Sequence, residues 1–173
     1  MKNDQTPAHT QADPVGRRRG FRLGAKTLHD VASITFGGAL AACLVINQVA
    51  SRESVAEFAA ARQTLAVIAQ YLLVPSMGVV VLSGLLALAA TRAYMNAGWA
   101  WLKALLGLAV FEATLVVVGS KEKQAAIVSA FADPDLLDSL LRSERNTLWL
   151  LVVLCIINVV LAVWRPRLSP KVR

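Results

Sequence analysis

The chain has 173 residues, 56% of them hydrophobic and 17% charged, and its formal net charge is +7. That composition is too apolar for an ordinary soluble domain, and the length leaves room for one domain. In a soluble chain the basic excess would suggest nucleic acid as a partner. Here it gathers at the two chain ends around apolar runs, so the expected partner is the lipid bilayer and no nucleic acid.

Residues 1–24 are polar, contain Pro7 and Pro14 and show no apolar period, which predicts a disordered basic tail. Four stretches nearly free of charge follow, at about 28–49, 63–91, 97–120 and 146–164. Each is long enough to cross a hydrocarbon core of ~30 Å as a helix, which takes ~20 residues. An unpaired backbone amide in hydrocarbon costs several kcal/mol, so such runs must be helical. The expected fold is therefore all-α. It is a polytopic membrane protein with a four-transmembrane-helix bundle over 25–165 and a basic stub at 166–173. Arg17, Arg18, Arg19, Arg22 and Lys26 precede the first span, and Arg165, Arg167, Lys171 and Arg173 follow the last. By the positive-inside rule both termini are cytoplasmic, as an even number of spans requires.

In the first span, Leu40-Ala41-Ala42-Cys43 resembles a lipoprotein cleavage box, and Arg18-Arg19-Gly20-Phe21-Arg22 a twin-arginine export signal. The apolar run continues through Leu44, Val45 and Ile46, which is span length and not the 7–15 residues of a signal's apolar region. Gly37-Gly38 with Ala41-Ala42 four residues on form overlapping small-xxx-small pairs, so helix packing is expected through Gly37 and Gly38, within the bundle or in a homodimer.

Ser54-Val55-Ala56-Glu57 reads as a capping box that starts the second helix outside the membrane. A helix from there to Thr91 would measure about 57 Å, with a kink at Pro75. The third helix is likewise expected to run beyond Gly119 to about Ala132. Helices two and three would thus both extend on the outer side. A short helix is expected to start at Asp133-Pro134, with a stripe of Leu136, Leu137, Leu140 and Leu141 and an Asp138–Arg142 pair. Tyr94, Trp99, Trp101, Trp149 and Trp164 lie at span ends, where amphipathic rings prefer headgroup depth. Lys103, about a turn inside Trp99, can snorkel outward.

Few residues bear chemistry. Cys43 and Cys155 fall inside spans, where apolar packing is the default. His29, beside Asp30, is the one histidine near the bilayer and a candidate edge ligand. It is too few for a haem between helices, and His, Met and Cys are too scattered for a copper site. No cofactor, no metal and no catalytic residue is expected, and nothing points to an enzyme. Glu112 is the only acidic residue well inside a span. A carboxylate facing lipid there costs on the order of 3 kcal/mol, so Glu112 is expected to face the interior as the candidate functional group. Gln70 or Tyr71, at similar depth, is expected to hydrogen-bond it.

The stretch 28–38, with His29 at the membrane edge and Gly37-Gly38 two turns on, resembles the opening helix of a bacterial family of four-helix integral membrane proteins of unknown function. That family is similar to the membrane domain of copper-resistance D proteins. Pro75 with Ser83-Gly84-Leu85, and the run Trp101-Leu102-Lys103-Ala104-Leu105-Leu106, echo it further. The resemblance implies a four-helix bundle in the inner membrane with His29 as the one motif position able to bind something. The methionine- and histidine-rich segments of copper handling are missing. Two roles follow as expectations: a structural or accessory membrane component, or a transporter of a small solute, proton or metal ion using the Glu112 carboxyl. A continuous polar path through Asn47, Gln48, Gln70, Tyr71, Ser83, Glu112 and Asn158 would favour the second.

Overall fold

The computed structural model describes residues 14–90, 95–115 and 121–164. Its main elements are helical throughout: α1 (Pro14–Val49), α2 (Val55–Ile68), a π-turn (Ala69–Leu73), α3 (Val74–Ala90), α4 (Gly98–Ala113), α5 (Lys121–Ser129), a 3-10 turn (Ala130–Ala132) and α6 (Pro134–Trp164). Three helical stretches are long and apolar enough to cross a membrane: Leu23–Val49, Val55–Ala90 and Pro134–Trp164. By length and composition this is a membrane-embedded, all-α protein. The third apolar run of the sequence is represented by α4, whose 16 residues measure about 24 Å at 1.5 Å per residue. The rest of that run, 116–120, lies outside the described residues.

The expected tail differs first. Helix α1 begins at Pro14, not near residue 24. Proline lacks the N–H that a first helical position leaves unused, and arginine is a good helix former, so the basic stretch can extend the span as helix. Residues 1–13 and the stub 166–173 lie outside the described residues, as does Tyr94.

The start at Ser54 is as expected: its Oγ accepts from the Glu57 amide at 3.2 Å. The reciprocal arm is different, because the Glu57 carboxylate accepts from Ser51 Oγ at 2.8 Å. Near Pro75 the helix widens into the π-turn, where the Val74 amide bonds back to Ala69 five residues earlier. Proline cannot donate to the Tyr71 carbonyl and its ring crowds it, so the added residue relieves the clash. Ser76 Oγ donates to the neighbouring Leu72 and Leu73 carbonyls.

Asp133 caps the last helix, its Oδ1 accepting from the Leu136 amide at 3.1 Å, with Pro134 in first position. The expected short helix is not separate. It continues without a break into the final span as one 31-residue helix, because 142–147 contains no Gly or Pro to stop it. Asp138 does not make its ion pair with Arg142: it pairs with Arg52 at 2.7 Å, while Arg142 Nε donates to the Asp138 carbonyl.

Helix α1 packs against α3 and α6, and α4 packs against the same two. The apolar core between them holds Phe36, Leu40, Cys43, Leu65, Leu73, Met77, Val110, Leu148 and Leu151. A second, smaller core sits at the distal end, away from the basic start of α1. There Phe58, Ile127, Ala130, Leu137 and Leu141 pack together, with Phe58 and Phe131 rings 5.4 Å apart.

The packing face of α1 is Ala32, Phe36, Ala39, Leu40, Cys43 and Asn47, at helical spacing. Gly37 and Gly38 fall on the opposite face, are exposed, and a Cβ at either would meet nothing within 4 Å. The expected packing through them inside the molecule is therefore absent. Gly37→Ala and Gly38→Ala should each stabilise the monomer, by up to ~1 kcal/mol from helix propensity. Thermal unfolding in detergent checks this, and a clear fall in midpoint would mean the face is packed.

Candidate functional site

Two helices carry a charge in the middle of an apolar seam. In α2 the buried line runs Phe58, Arg62, Leu65; in α6 it runs Leu137, Leu141, Glu144, Leu148, Leu151. Spacings of three and four residues keep each line on one helix face, so both charges must enter the interior with their neighbours. Arg62 is 1% and Glu144 0% exposed.

They meet there. Arg62 Nη2 donates to both Glu144 carboxylate oxygens at 2.7 Å. It also donates to Gln124 Oε1 of α5, and Gln124 Nε2 returns a bond to Glu144 Oε1 at 2.9 Å. Asn47 of α1 closes the group, its Nδ2 donating to Glu144 Oε2 at 2.6 Å. One carboxylate thus gathers donors from α1, α2 and α5 onto α6. Arg62 Nε and Nη1 and Asn47 Oδ1 are buried without a partner among the described residues. The guanidinium therefore keeps donor capacity beyond its ion pair.

The surroundings reinforce the site. Cys43 is buried within electrostatic reach of Glu144 and Arg62. Lys123, half-buried on α5, has its pKa lowered chiefly by burial. The Glu144 carboxylate offsets part of that effect and Arg62 adds to it. Over the distal side lies the smaller apolar core, which closes the pair off from water.

At the proximal end His29 Nδ1 and Ser83 Oγ share a hydrogen bond of 2.7 Å between α1 and α3. Ser83 Oγ donates to the Val79 carbonyl at 2.6 Å, which leaves its oxygen able to accept from the imidazole. The ammonium of Lys103 on α4 and the carboxylate of Asp30 lie within electrostatic reach of the imidazole. Gly84 is beside the ring, with its Cβ position 3.8 Å from His29 Cε1. His29, Ser83-Gly84 and Lys103, taken from three separate stretches of sequence, come together at this end.

Glu112, Gln70 and Tyr71 do not form the expected site. All three are exposed, Tyr71 to 66%, and no hydrogen bond joins Glu112 to either among the described residues. The causes are level and rotation: the neighbouring Phe111 lies against Gly78, 3.8 Å from its Cβ position, about two turns along the helix from Gln70 and Tyr71. The buried face of α4 is Ala100, Gly107, Val110 and Thr114. Glu112 stands two residues from both Val110 and Thr114, about 200° around the helix. Gln70 and Tyr71 similarly sit between the buried Ala69 and Leu73. Gln48 is exposed too, and Asn158 lies beside Gly107. Among the described residues these polar groups line no continuous path, and no group of three or more His, Cys, Asp or Glu could hold a metal ion.

Arg62 and Glu144 were the residues that motif reading passed over. Each lies within two residues of where an apolar run begins, and so resembles an ordinary flanking charge. The usable signal was position: Asn47, Arg62, Gln124 and Glu144 all sit at the same end of their apolar runs, and two of them interrupt apolar seams. Glu144→Ala should destabilise the fold by about 3–5 kcal/mol, since it strands a buried guanidinium. The double variant Arg62→Met with Glu144→Leu should cost less than Glu144→Ala alone. Unfolding of the purified variants in detergent measures both.

The chain was compared with protein-family models, with curated proteins and with solved structures, and none of them matches.

Proposed function

We propose that this is a multi-pass inner-membrane protein with a structural or accessory role, built as a bundle of four spans with both termini cytoplasmic. The observation that carries the reading is the apolar filling of the interior. Phe36, Leu40, Leu65, Leu73, Met77, Val110 and Leu151 occupy the space between the distal Arg62–Glu144 group and the proximal His29–Ser83 pair. Polar groups at the two ends joined by a mainly apolar core suit a rigid scaffold more than a conduit. The surface position of Glu112 gives a proton path no interior carboxyl in α4.

Similarity to the four-helix family related to copper-resistance D membrane domains is kept as part of this proposal and rests on the sequence stretches that hold His29, Ser83-Gly84 and Lys103. Each of these belongs to a stretch that carries the resemblance. A homodimer through the open Gly37–Gly38 face is part of the same proposal, since small residues let a second helix approach closely. Gly37→Leu should then weaken self-association in detergent while leaving the monomer folded.

Two measurements test the reading. In proteoliposomes, dye-reported proton flux should not exceed that of empty vesicles, and Glu112→Gln should behave as wild type. Flux that is lost in Glu112→Gln would replace the scaffold reading with a transport one. A reporter fused after Arg173 should be active only on the cytoplasmic side.

A further inference from the structure

The outward face of α6 carries a feature that the scaffold does not use. Ser139, Arg142, Ser143, Asn146, Thr147 and Leu150 line a shallow open groove of about 570 Å³. Their spacing of one, three and four residues places all six on one face of a single helix. A second depression adjoins it, lined by Arg52, Asp138, Leu141, Arg142 and Arg145. Arg142 belongs to both.

Charge and polarity define what the pair of depressions fits. Asp138 is engaged by Arg52 at 2.7 Å. Arg142 gives only its Nε to a backbone carbonyl, at 3.2 Å, and among the described residues neither Arg142 nor Arg145 is paired with a carboxylate. The local balance is three guanidinium groups to one carboxylate, a net surplus of two positive charges. Arg142 and Ser143 are exposed, and Asn146 beside them brings amide donors. One turn further, exposed Leu150 and Trp149 begin the apolar surface of the span.

From Arg142 to Leu150 the groove descends about 12 Å along the helix axis. Over that distance it changes from cationic, through hydroxyl and amide, to hydrocarbon. Indole at Trp149 marks headgroup depth.

We propose that this face binds an anionic phospholipid. Its phosphate is held by Arg142 and Arg145, its glycerol and ester oxygens by Ser143 and Asn146, and one acyl chain runs down over Leu150. A lipid is the occupant because its own groups follow the same order over the same span. A free anion would have no use for the apolar floor. Arginine suits the phosphate because its planar fork can donate two bonds at once.

The full-length protein, purified in a mild neutral detergent, is titrated with phosphatidylglycerol, with phosphatidylcholine and with inorganic phosphate. Bound lipid is read by native mass spectrometry and stability by thermal unfolding. Phosphatidylglycerol should bind and raise the unfolding midpoint, with phosphatidylcholine binding at least tenfold more weakly and phosphate giving no comparable shift. Arg142→Gln with Arg145→Gln should weaken phosphatidylglycerol binding at least tenfold at unchanged apo midpoint. Leu150→Asn should weaken lipid binding without affecting any response to phosphate. Lys26→Gln, at the other end of the protein, serves as the control for general attraction to basic segments.

The proposal is overturned if the double arginine variant binds as wild type, or if Lys26→Gln reduces binding equally. It is also overturned if inorganic phosphate alone reproduces the stabilisation. If the double variant does not fold, Leu150→Asn and the phosphatidylcholine comparison decide the matter by the same criteria.

Discussion

A carboxylate and a guanidinium locked together at the distal end of the helices is the constraint around which the remaining structure is arranged. Removing two charges from water is costly, and their attraction compensates only where further hydrogen bonds complete the geometry. Glu144 receives those bonds from Asn47, Arg62 and Gln124, so α1, α2 and α5 must all reach α6 at one depth. The long distal extension of α6 follows from this requirement. Leu137 and Leu141 on that extension pack with Phe58 and Ile127, and this smaller core keeps water from the pair. If α6 had begun only at the span, Glu144 would have sat at a frayed helix end in contact with solvent.

A buried ion pair adds little stability compared with well-packed apolar residues of the same volume, yet losing one partner is severe. Its value lies in selecting one arrangement. Apolar helices in a membrane slide and rotate with few distinguishing contacts, since lipid tails are as apolar as leucine side chains. A unique pairing of four polar side chains fixes both the rotation and the depth of α6 against α2. At the other end the His29–Ser83 bond performs a similar service for α1 and α3. The core between needs only volume, and it contains residues of varied shape, from Ala39 to Phe36 and Met77.

The same arrangement separates interior from surface on α6. One face of that helix supplies the seam with Glu144, while the opposite face presents Arg142, Ser143 and Asn146 outward. Charge on the interior face is fully engaged within the protein. Charge on the outer face is available to whatever surrounds it. That division gives α6 an organising inner face and a polar outer one.

The sequence by itself determined the class of protein, because hydrocarbon thickness and the cost of bare amides act on composition and length alone. Local signals located helix starts and the kink, though not the partners of exposed charges such as Asp138 and Glu57. Ser54 and Asp133 cap their helices as read, and Pro75 disturbs its helix where expected. What the sequence could not supply was the rotation of each helix about its axis. In a soluble helix an apolar stripe reveals the inward face, but a span is apolar all round and the stripe disappears. Glu112 was therefore placed on the wrong side of its helix, and the packing expected of Gly37 and Gly38 inside the molecule is made by Ala39 and Leu40. Arg62 and Glu144 stood at the margins of apolar runs, indistinguishable there from solvated flanking charges. Only when α2 and α6 pack side by side, and the distal helices close over them, does the tertiary structure turn two marginal charges into one buried pair.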